Sequence, residues 1–259
     1  MGRVDNKIFI VTGAGRGIGR ACADLLAREG ALVYVTDCEV EPARTVAGHI
    51  CDEGGWAEYQ ALDVRDEAAW EALIRRVVQD RGRIDGLVNN AGIFLIEQMT
   101  DTTIEQVREL YETNVYGTWL GMKHAAPALA AAGGGAIVNL ASMDATDGAS
   151  GFTVYGGTKG AVDTMTRDAA LELAKQAVRV NSVHPGHIRT QMAAYGARQE
   201  GITWESMAEE SPLGRIGDPL DVAWGVLYLL SDEARWVTGI QLRIDGGATA
   251  GKLARRVFL

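Results

Sequence analysis

The sequence predicts an α/β fold, a doubly wound parallel sheet of about seven strands with helices on both faces. Three observations carry that expectation. Short apolar, β-branched runs alternate with longer segments of helical period from end to end. The runs are apolar on both faces, as strands covered on each side must be. No Pro- or Ser-rich linker, internal repeat or low-complexity tract interrupts the rhythm, so one domain spanning residues 1–259 is expected.

Taken in order, the strands are KIFIVT (7–12), ALVYVT (31–36), AEYQALDV (57–64), IDGLVNN (84–90), GAIVNLAS (135–142), VRVNSVHP (178–185) and IQLRID (240–245). DEAAWEALIRRVVQD (66–80) predicts a helix whose apolar face is Trp70, Leu73, Ile74, Val77 and Val78. VYGGTKG (154–160) reads as the first turns of another, although Gly156, Gly157 and Gly160 each cost about 1 kcal/mol relative to Ala. Residues 190–217 break the rhythm and read as an insertion beyond the carboxyl end of a strand, where such sheets build substrate lids.

Composition narrows the function. The 25 basic and 34 acidic residues give a net charge of -9 with no Lys/Arg-rich run, which disfavours nucleic acid or an anionic membrane as partner. Cys22, Cys38 and Cys51 are odd in number and form no CxxC pair, the pattern of free thiols in a reducing compartment. The N-terminus has no h-region, and Pro127 and Gly133–Gly135 interrupt the least polar stretch. A soluble cytoplasmic protein acting on a small molecule is the expectation. His49, His124, His184 and His187 form no ligand motif, so no metal is expected.

After the first strand comes TGAGRGIG, Thr12 to Gly19. The spacing is TGxxxGxG on Gly13, Gly17 and Gly19, with Arg16 and Ile18 inside it. Such a turn lets backbone approach a pyrophosphate, and the following helix offers its N-terminal amides to the anion. Asp37 closes the second strand, 18 positions after Gly19. A carboxylate there accepts hydrogen bonds from the adenosine ribose hydroxyls and repels a 2′-phosphate, which argues for NAD over NADP. Arg16 is the contrary hint, and a turn or capping role is the plain alternative for Asp37.

Tyr155 and Lys159 lie at i and i+4, on one helical face. An ammonium near a phenol favours the phenolate and lowers a pKa of about 10 toward the working range. Such a tyrosine acts as acid or base on an alcohol or carbonyl oxygen. Ser142, 13 residues earlier at a strand end, is placed to hold the same oxygen. Alone, a YxxxK pair is as readily a surface pair; joined to a glycine loop and a strand-end serine, it is not.

With these motifs the sequence resembles the short-chain dehydrogenase/reductase family, nearly end to end. The matching elements are TGxxxGxG, Asp63-Val64, NNAG at 89–92, Asn114, Ser142, YxxxK at 155–159 and PGHIRT at 185–190. The resemblance implies a Rossmann-type sheet and hydride transfer between a nicotinamide and a carbon bearing an alcohol or carbonyl oxygen. It implies that Asp63 and Val64 contact the adenine and that Asn90, Ala91 and Gly92 shape the cofactor site. Lys159 would bind the nicotinamide ribose, and Asn114 would hold a water in a proton relay from Tyr155 through that ribose and Lys159. Pro185, Gly186, Ile188 and Thr190 would lie against the nicotinamide. A homotetramer is implied, with the helix beginning near Tyr155 packed on its counterpart, a use for Gly156, Gly157 and Gly160.

Around the reacting groups, Met143, Asp144, Thr146, Thr153, His187 and the lid residues Met192, Tyr195, Trp204 and Met207 are the candidate substrate contacts. Asp144, Asp147 and His187 favour a substrate with a second polar group, such as a diol, hydroxy-ketone or sugar. A 3-oxoacyl thioester reductase is the rival enzyme, though such relatives typically use NADPH. A non-catalytic dinucleotide-sensing or scaffold protein is the alternative of another class.

Overall fold

In the computed structural model, which describes residues 2–251, the seven apolar runs form one all-parallel sheet. The strands are β1 (Ile8–Thr12), β2 (Leu32–Asp37), β3 (Trp56–Ala61), β4 (Gly86–Asn89), β5 (Gly135–Leu140), β6 (Val178–Pro185) and β7 (Gln241–Ile244). Their order is β3-β2-β1-β4-β5-β6-β7. The chain steps outward from β1 and then returns to β4 on its other flank, with Val11 level with both Val35 and Val88. That reversal opens a crevice at the carboxyl ends of β1 and β4, where open α/β sheets bind ligands.

The helices are α1 (Gly17–Arg28), α2 (Val40–Asp52), α3 (Glu67–Arg81), α4 (Ile104–Leu110), α5 (Gly117–Ala131), α6 (Thr153–Leu173), α7 (Gln191–Glu200), α8 (Trp204–Glu209) and α9 (Pro219–Leu230). Alternation along each strand divides the core. Phe9, Val11, Val33, Val35 and Val138 face α1, α2 and α9. Ile8, Ile10, Tyr34, Leu87 and Ile137 face α3, α5 and α6. Among the described residues, no helix is long and apolar enough to cross a membrane.

The structure adjusts several expected boundaries. α3 starts where the Asp66 carboxylate accepts from the Ala68 and Ala69 amides and stops at Gly82, whose φ is 79°. Trp70, Leu73 and Val77 are wholly buried, whereas Val78 is 36% exposed, because one helical stripe cannot turn two adjacent residues inward equally. The edge strand β3 is not apolar on both faces: Trp56 and Tyr59 lie open. β3 ends at Ala61 because its partner β2 ends at Asp37, whose carbonyl takes the Leu62 amide. β5 stops at Leu140, so Ser142 sits beyond the strand and opens a 3₁₀ turn, Met143–Ala145. The helix expected to carry Asn114 is interrupted, since a π turn, Tyr111–Tyr116, joins α4 to α5. Such turns cluster at functional sites.

Candidate active site

The glycine loop is built for backbone to meet an anion. Gly13 and Gly17 hold φ of 60° and 55°, a region closed to most side chains. A Cβ at Gly19 would lie 2.3 Å from the Gly13 carbonyl oxygen. Arg16 precedes α1 without a side-chain cap, leaving the first amides of the helix without a capping side chain. The end of β4 braces the loop: Asn90 donates to the carbonyls of Thr12 (2.8 Å) and Gly13 (3.0 Å). The Thr12 hydroxyl accepts the Asn90 and Ala91 amides, both at 3.0 Å. These features fit a dinucleotide pyrophosphate. Ile18 is partly buried, its side chain packing against the core under α1. Asn89 points the other way and donates to Asn139 at 2.9 Å, a core contact between β4 and β5.

Asp37 is buried at the tip of β2, and its carboxylate accepts the amides of Gly15 and Glu39, each at 3.1 Å. Arg16, the one hint toward a 2′-phosphate, is ion-paired with Glu39. Asp63 is held by the Arg65 guanidinium (2.7 Å), which keeps its carboxyl below the usual carboxylate range, a partnership the sequence reading missed. Val64 is buried, its carbonyl accepting the Trp70 indole at 3.0 Å. A cleft of about 620 Å³ runs from the glycine loop to the start of α7, lined by Gly15, Arg16, Gly17, Arg20, Arg189 and Thr190 among others. Arg20 pairs with Asp24 at 3.5 Å. Arg189 instead rests over the Trp204 ring at 5.3 Å.

The second half of the site gathers at the ends of β4 and β5. Asn114, in the π turn, accepts the Ile93 amide (2.8 Å) and donates to the Ile93 carbonyl (3.0 Å) and the Thr158 hydroxyl (3.1 Å). Both side-chain donors are therefore spent on bracing, and only acceptor capacity remains for a water. A Cβ at Gly92 would stand 3.1 Å from Asn114 Oδ1 and 3.5 Å from Lys159 Nζ, so the three meet at one point. Lys159 is buried and donates to the Leu140 carbonyl at 2.9 Å. Burial pushes its pKa down to about 8.

Tyr155 is buried in an aromatic corner, with Phe94 edge-on at 4.7 Å and Phe152 at 6.4 Å between ring centroids. The expected lowering of its pKa by Lys159 is not what the structure gives. Burial raises it, the nearby Asp144 carboxylate adds to the rise, and the Ser142 hydroxyl acts in the opposite direction. Lys159 Nζ lies 5.8 Å from the ring centroid, and desolvation of the phenolate dominates at that range.

Ser142 makes a closed pair with Asp144. Its hydroxyl donates to Asp144 Oδ2 at 2.8 Å and accepts the Asp144 amide at 3.2 Å. Burial raises the Asp144 pKa, and the Ser142 hydrogen bond offsets part of that rise. One glycine of α6 has its reason here. A Cβ at Gly156 would lie 2.9 Å from the Asp144 carbonyl oxygen, and one at Gly160 would lie 3.5 Å from that of Ala145. Close approach of the 143–145 turn to α6 within one chain thus accounts for Gly156, whereas at Gly160 a Cβ would make only an ordinary contact. Gly157 is exposed, and among the described residues a Cβ there would meet only the Tyr111 hydroxyl, at 3.4 Å. Gly156→Ala should displace the turn, costing about 1–3 kcal/mol of stability and roughly tenfold in kcat. Gly157→Ala should leave both within assay error, and thermal melts with initial rates check the pair.

The remaining candidates divide. Pro185 ends β6, and a Cβ at Gly186 would press on the Asp245 backbone at 2.8 Å. Ile188 is buried in the core and bridges Gly217. Thr190 caps α7 by accepting the Ala193 amide at 3.1 Å, and its methyl stands over Gly17. Met143 is half-buried, Met192 and Tyr195 are exposed, and His187 is tied to Glu210 at 2.8 Å. Met207 packs with Ala197 and Ile216 in a small core that includes Trp204, so these two hold segment 190–217 together. Asp147 and Thr146 lie in an exposed loop. Phe94 and Phe152, missed from sequence, were marked only by adjacency, one following NNAG and the other preceding YxxxK.

A parallel sheet with a glycine loop at its switch point defines a dinucleotide-binding α/β protein. The family model described as enoyl-(acyl carrier protein) reductase matches residues 13–249. Cyclopentanol dehydrogenase of Comamonas testosteroni is 39% identical over 252 residues, 96% of this chain and 100% of that protein. 2,5-Dichloro-2,5-cyclohexadiene-1,4-diol dehydrogenase of Sphingobium indicum is 36% identical over 249 residues, covering 96% and 98% of the two chains. A solved short-chain type dehydrogenase/reductase from Mycobacterium ulcerans superposes with TM-score 0.89 at 34% identity, over 94% of this chain and 90% of that one. The chain belongs to the short-chain dehydrogenase/reductase family. It is an oxidoreductase acting on CH–OH groups with a nicotinamide cofactor.

Proposed function

We propose that this enzyme is an NAD-dependent dehydrogenase of a cyclic secondary alcohol that carries a second polar group, and that it reduces the matching ketone in reverse. The observation that carries this reading is the Ser142–Asp144 pair beside Tyr155 and Lys159, at an aromatic corner formed by Phe94 and Phe152. Rings suit the aromatic wall, and Asp144 offers a charged acceptor for a further hydroxyl. The relatives named for cyclopentanol and for a cyclic diol support the same class.

NAD is preferred because Asp37 occupies the ribose end of β2 and Arg16 is engaged by Glu39. The Gly13–Gly19 amides would hold the pyrophosphate, Asp63 and Val64 the adenine, Asn90–Gly92 and Pro185–Thr190 the nicotinamide half, and Lys159 its ribose. Bound nicotinamide supplies the hydride acceptor for oxidation and the donor for reduction. Tyr155, as phenolate, takes the proton of the alcohol whose oxygen Ser142 holds, and Lys159 with Asn114 passes that proton onward.

Residues 190–217 serve as the substrate lid of one domain. The exposed apolar side chains Tyr116, Trp119, Leu171, Trp224, Trp236 and Ile240 serve as contacts of a homotetramer. Free thiols at Cys22, Cys38 and Cys51 suit the cytoplasm. The test is nicotinamide absorbance with NAD and NADP against cyclic secondary alcohols, cyclic diols and β-hydroxyacyl thioesters. NADH should form from the ring alcohols and fastest from diols. Turnover of thioesters with NADP alone would overturn the reading in favour of an acyl thioester reductase. No turnover despite tight NADH binding would replace it with a dinucleotide sensor.

A further inference from the structure

His184 is wholly buried beneath the turn that carries Ser142, and nothing in the proposed chemistry uses it. Its Nδ1 lies 2.9 Å from the Ser142 carbonyl oxygen. Its Nε2 lies 2.9 Å from the Ser182 hydroxyl and 3.2 Å from Asp163 Oδ1. Asp163, also buried, is fixed by two more side chains: its Oδ2 accepts Gln241 of β7 at 2.5 Å and the guanidinium of Arg167, one turn on along α6. The imidazole therefore has partners at both nitrogens, from the Ser142 turn, β6 and α6.

The strand end it holds has lost its ordinary support. Ala141 makes the last β5 hydrogen bond to β6, donating to Val183 at 2.8 Å. Pro185, with no N–H, cannot continue the ladder. Two side chains take over. Tyr155, Lys159 and Asp163 are spaced i, i+4, i+8 along α6 and share a face. Lys159 holds the Leu140 carbonyl directly, at 2.9 Å. Asp163 contacts the imidazole that holds the Ser142 carbonyl. We propose that His184, backed by Asp163 and Ser182, is a positioning residue that sets the catalytic turn, and hence the Ser142 hydroxyl, in register with Tyr155.

A carbonyl oxygen only accepts, so the geometry requires the imidazole proton on Nδ1. With the proton on Nδ1, the Nε2 of a neutral ring accepts, and its donor is the Ser182 hydroxyl at 2.9 Å; burial lowers the His184 pKa, with Asp163 and the Ser142 contact opposing. The inference rests on the proposed role of Ser142, and the variants separate the two. An Asn side chain places an amide N–H near the Nδ1 position, whereas Gln places it near Nε2. His184→Asn should keep kcat within about threefold of wild type, and His184→Gln should lower it by roughly ten- to a hundredfold. NADH affinity, read by fluorescence titration, should be the same in both. Equal losses in the two variants, or none in either, would overturn the positioning role. Ser142→Ala retaining full activity would instead overturn the reading of Ser142. Should either histidine variant fail to fold, ¹⁵N-histidine NMR of the unmodified protein decides: a protonated Nδ1 is expected, and the Nε2–H tautomer contradicts the proposal.

Discussion

Tyr155→Phe is expected to lower kcat by roughly 10³- to 10⁴-fold, the upper range for loss of a general acid–base group, and to leave the Kd for NADH within about threefold. The substitution removes one oxygen from a buried ring between Phe94 and Phe152, so the aromatic corner persists and the loss is chemical rather than structural. The pH profile carries the sign of the shifts. With the phenol raised by burial, the phenolate fraction grows as pH rises, and alcohol oxidation should climb through the alkaline range. Ketone reduction uses the phenol and should stay level over that span. Lys159, held to about 8, carries its charge below that pH and loses it above, which opposes the phenolate and flattens the climb. Initial rates in both directions, with NADH fluorescence titrations on the variant, check this. Turnover above a tenth of wild type, or oxidation falling as pH rises, would contradict it.

Asp37→Ala carries the second large effect: NAD-over-NADP discrimination should shrink by about 10²-fold, near 3 kcal/mol, the scale of hydrogen bonds to a charged acceptor. Two terms contribute, lost ribose contacts and relieved repulsion of a 2′-phosphate. The Gly15 amide complicates the readout, because Asp37 Oδ2 accepts it and the loop loses that brace too. Asp37→Asn separates the terms, since the amide oxygen keeps the brace while the charge goes. Adding Glu39→Gln frees Arg16 from its ion pair and should strengthen NADPH binding further. Fluorescence titrations with NADH and NADPH measure each step, and unchanged discrimination in Asp37→Ala would refute the assignment.

The strand–helix rhythm and the reacting residues were legible in the sequence because both depend on short-range spacing. Alternating apolar runs mark strands wherever they occur, and Tyr155 and Lys159 are joined by one helical turn. What was not legible depends on residues far apart in the chain. Asp37 meets Gly15, Asp163 and His184 meet beneath Ser142, and Gly92 meets Asn114 and Lys159 only once the sheet is formed. Val78 and the edge strand β3 misled for a different reason, since apolar character does not say which neighbour will cover it. The phenol of Tyr155 was read from its charged partner, whereas burial, a property of the folded chain, outweighs that charge. Of the glycines that made α6 look like a poor helix, Gly156 leaves the space in which the Ser142 turn sits.

The most direct test follows the hydride. A cyclic secondary alcohol deuterated at its carbinol carbon is incubated with enzyme and NAD, and the nicotinamide product is read by mass spectrometry. The account predicts NADH carrying that deuterium with wild-type enzyme and essentially none formed by Tyr155→Phe. Unlabelled NADH, or labelled NADH appearing at the wild-type rate with Tyr155→Phe, would contradict it.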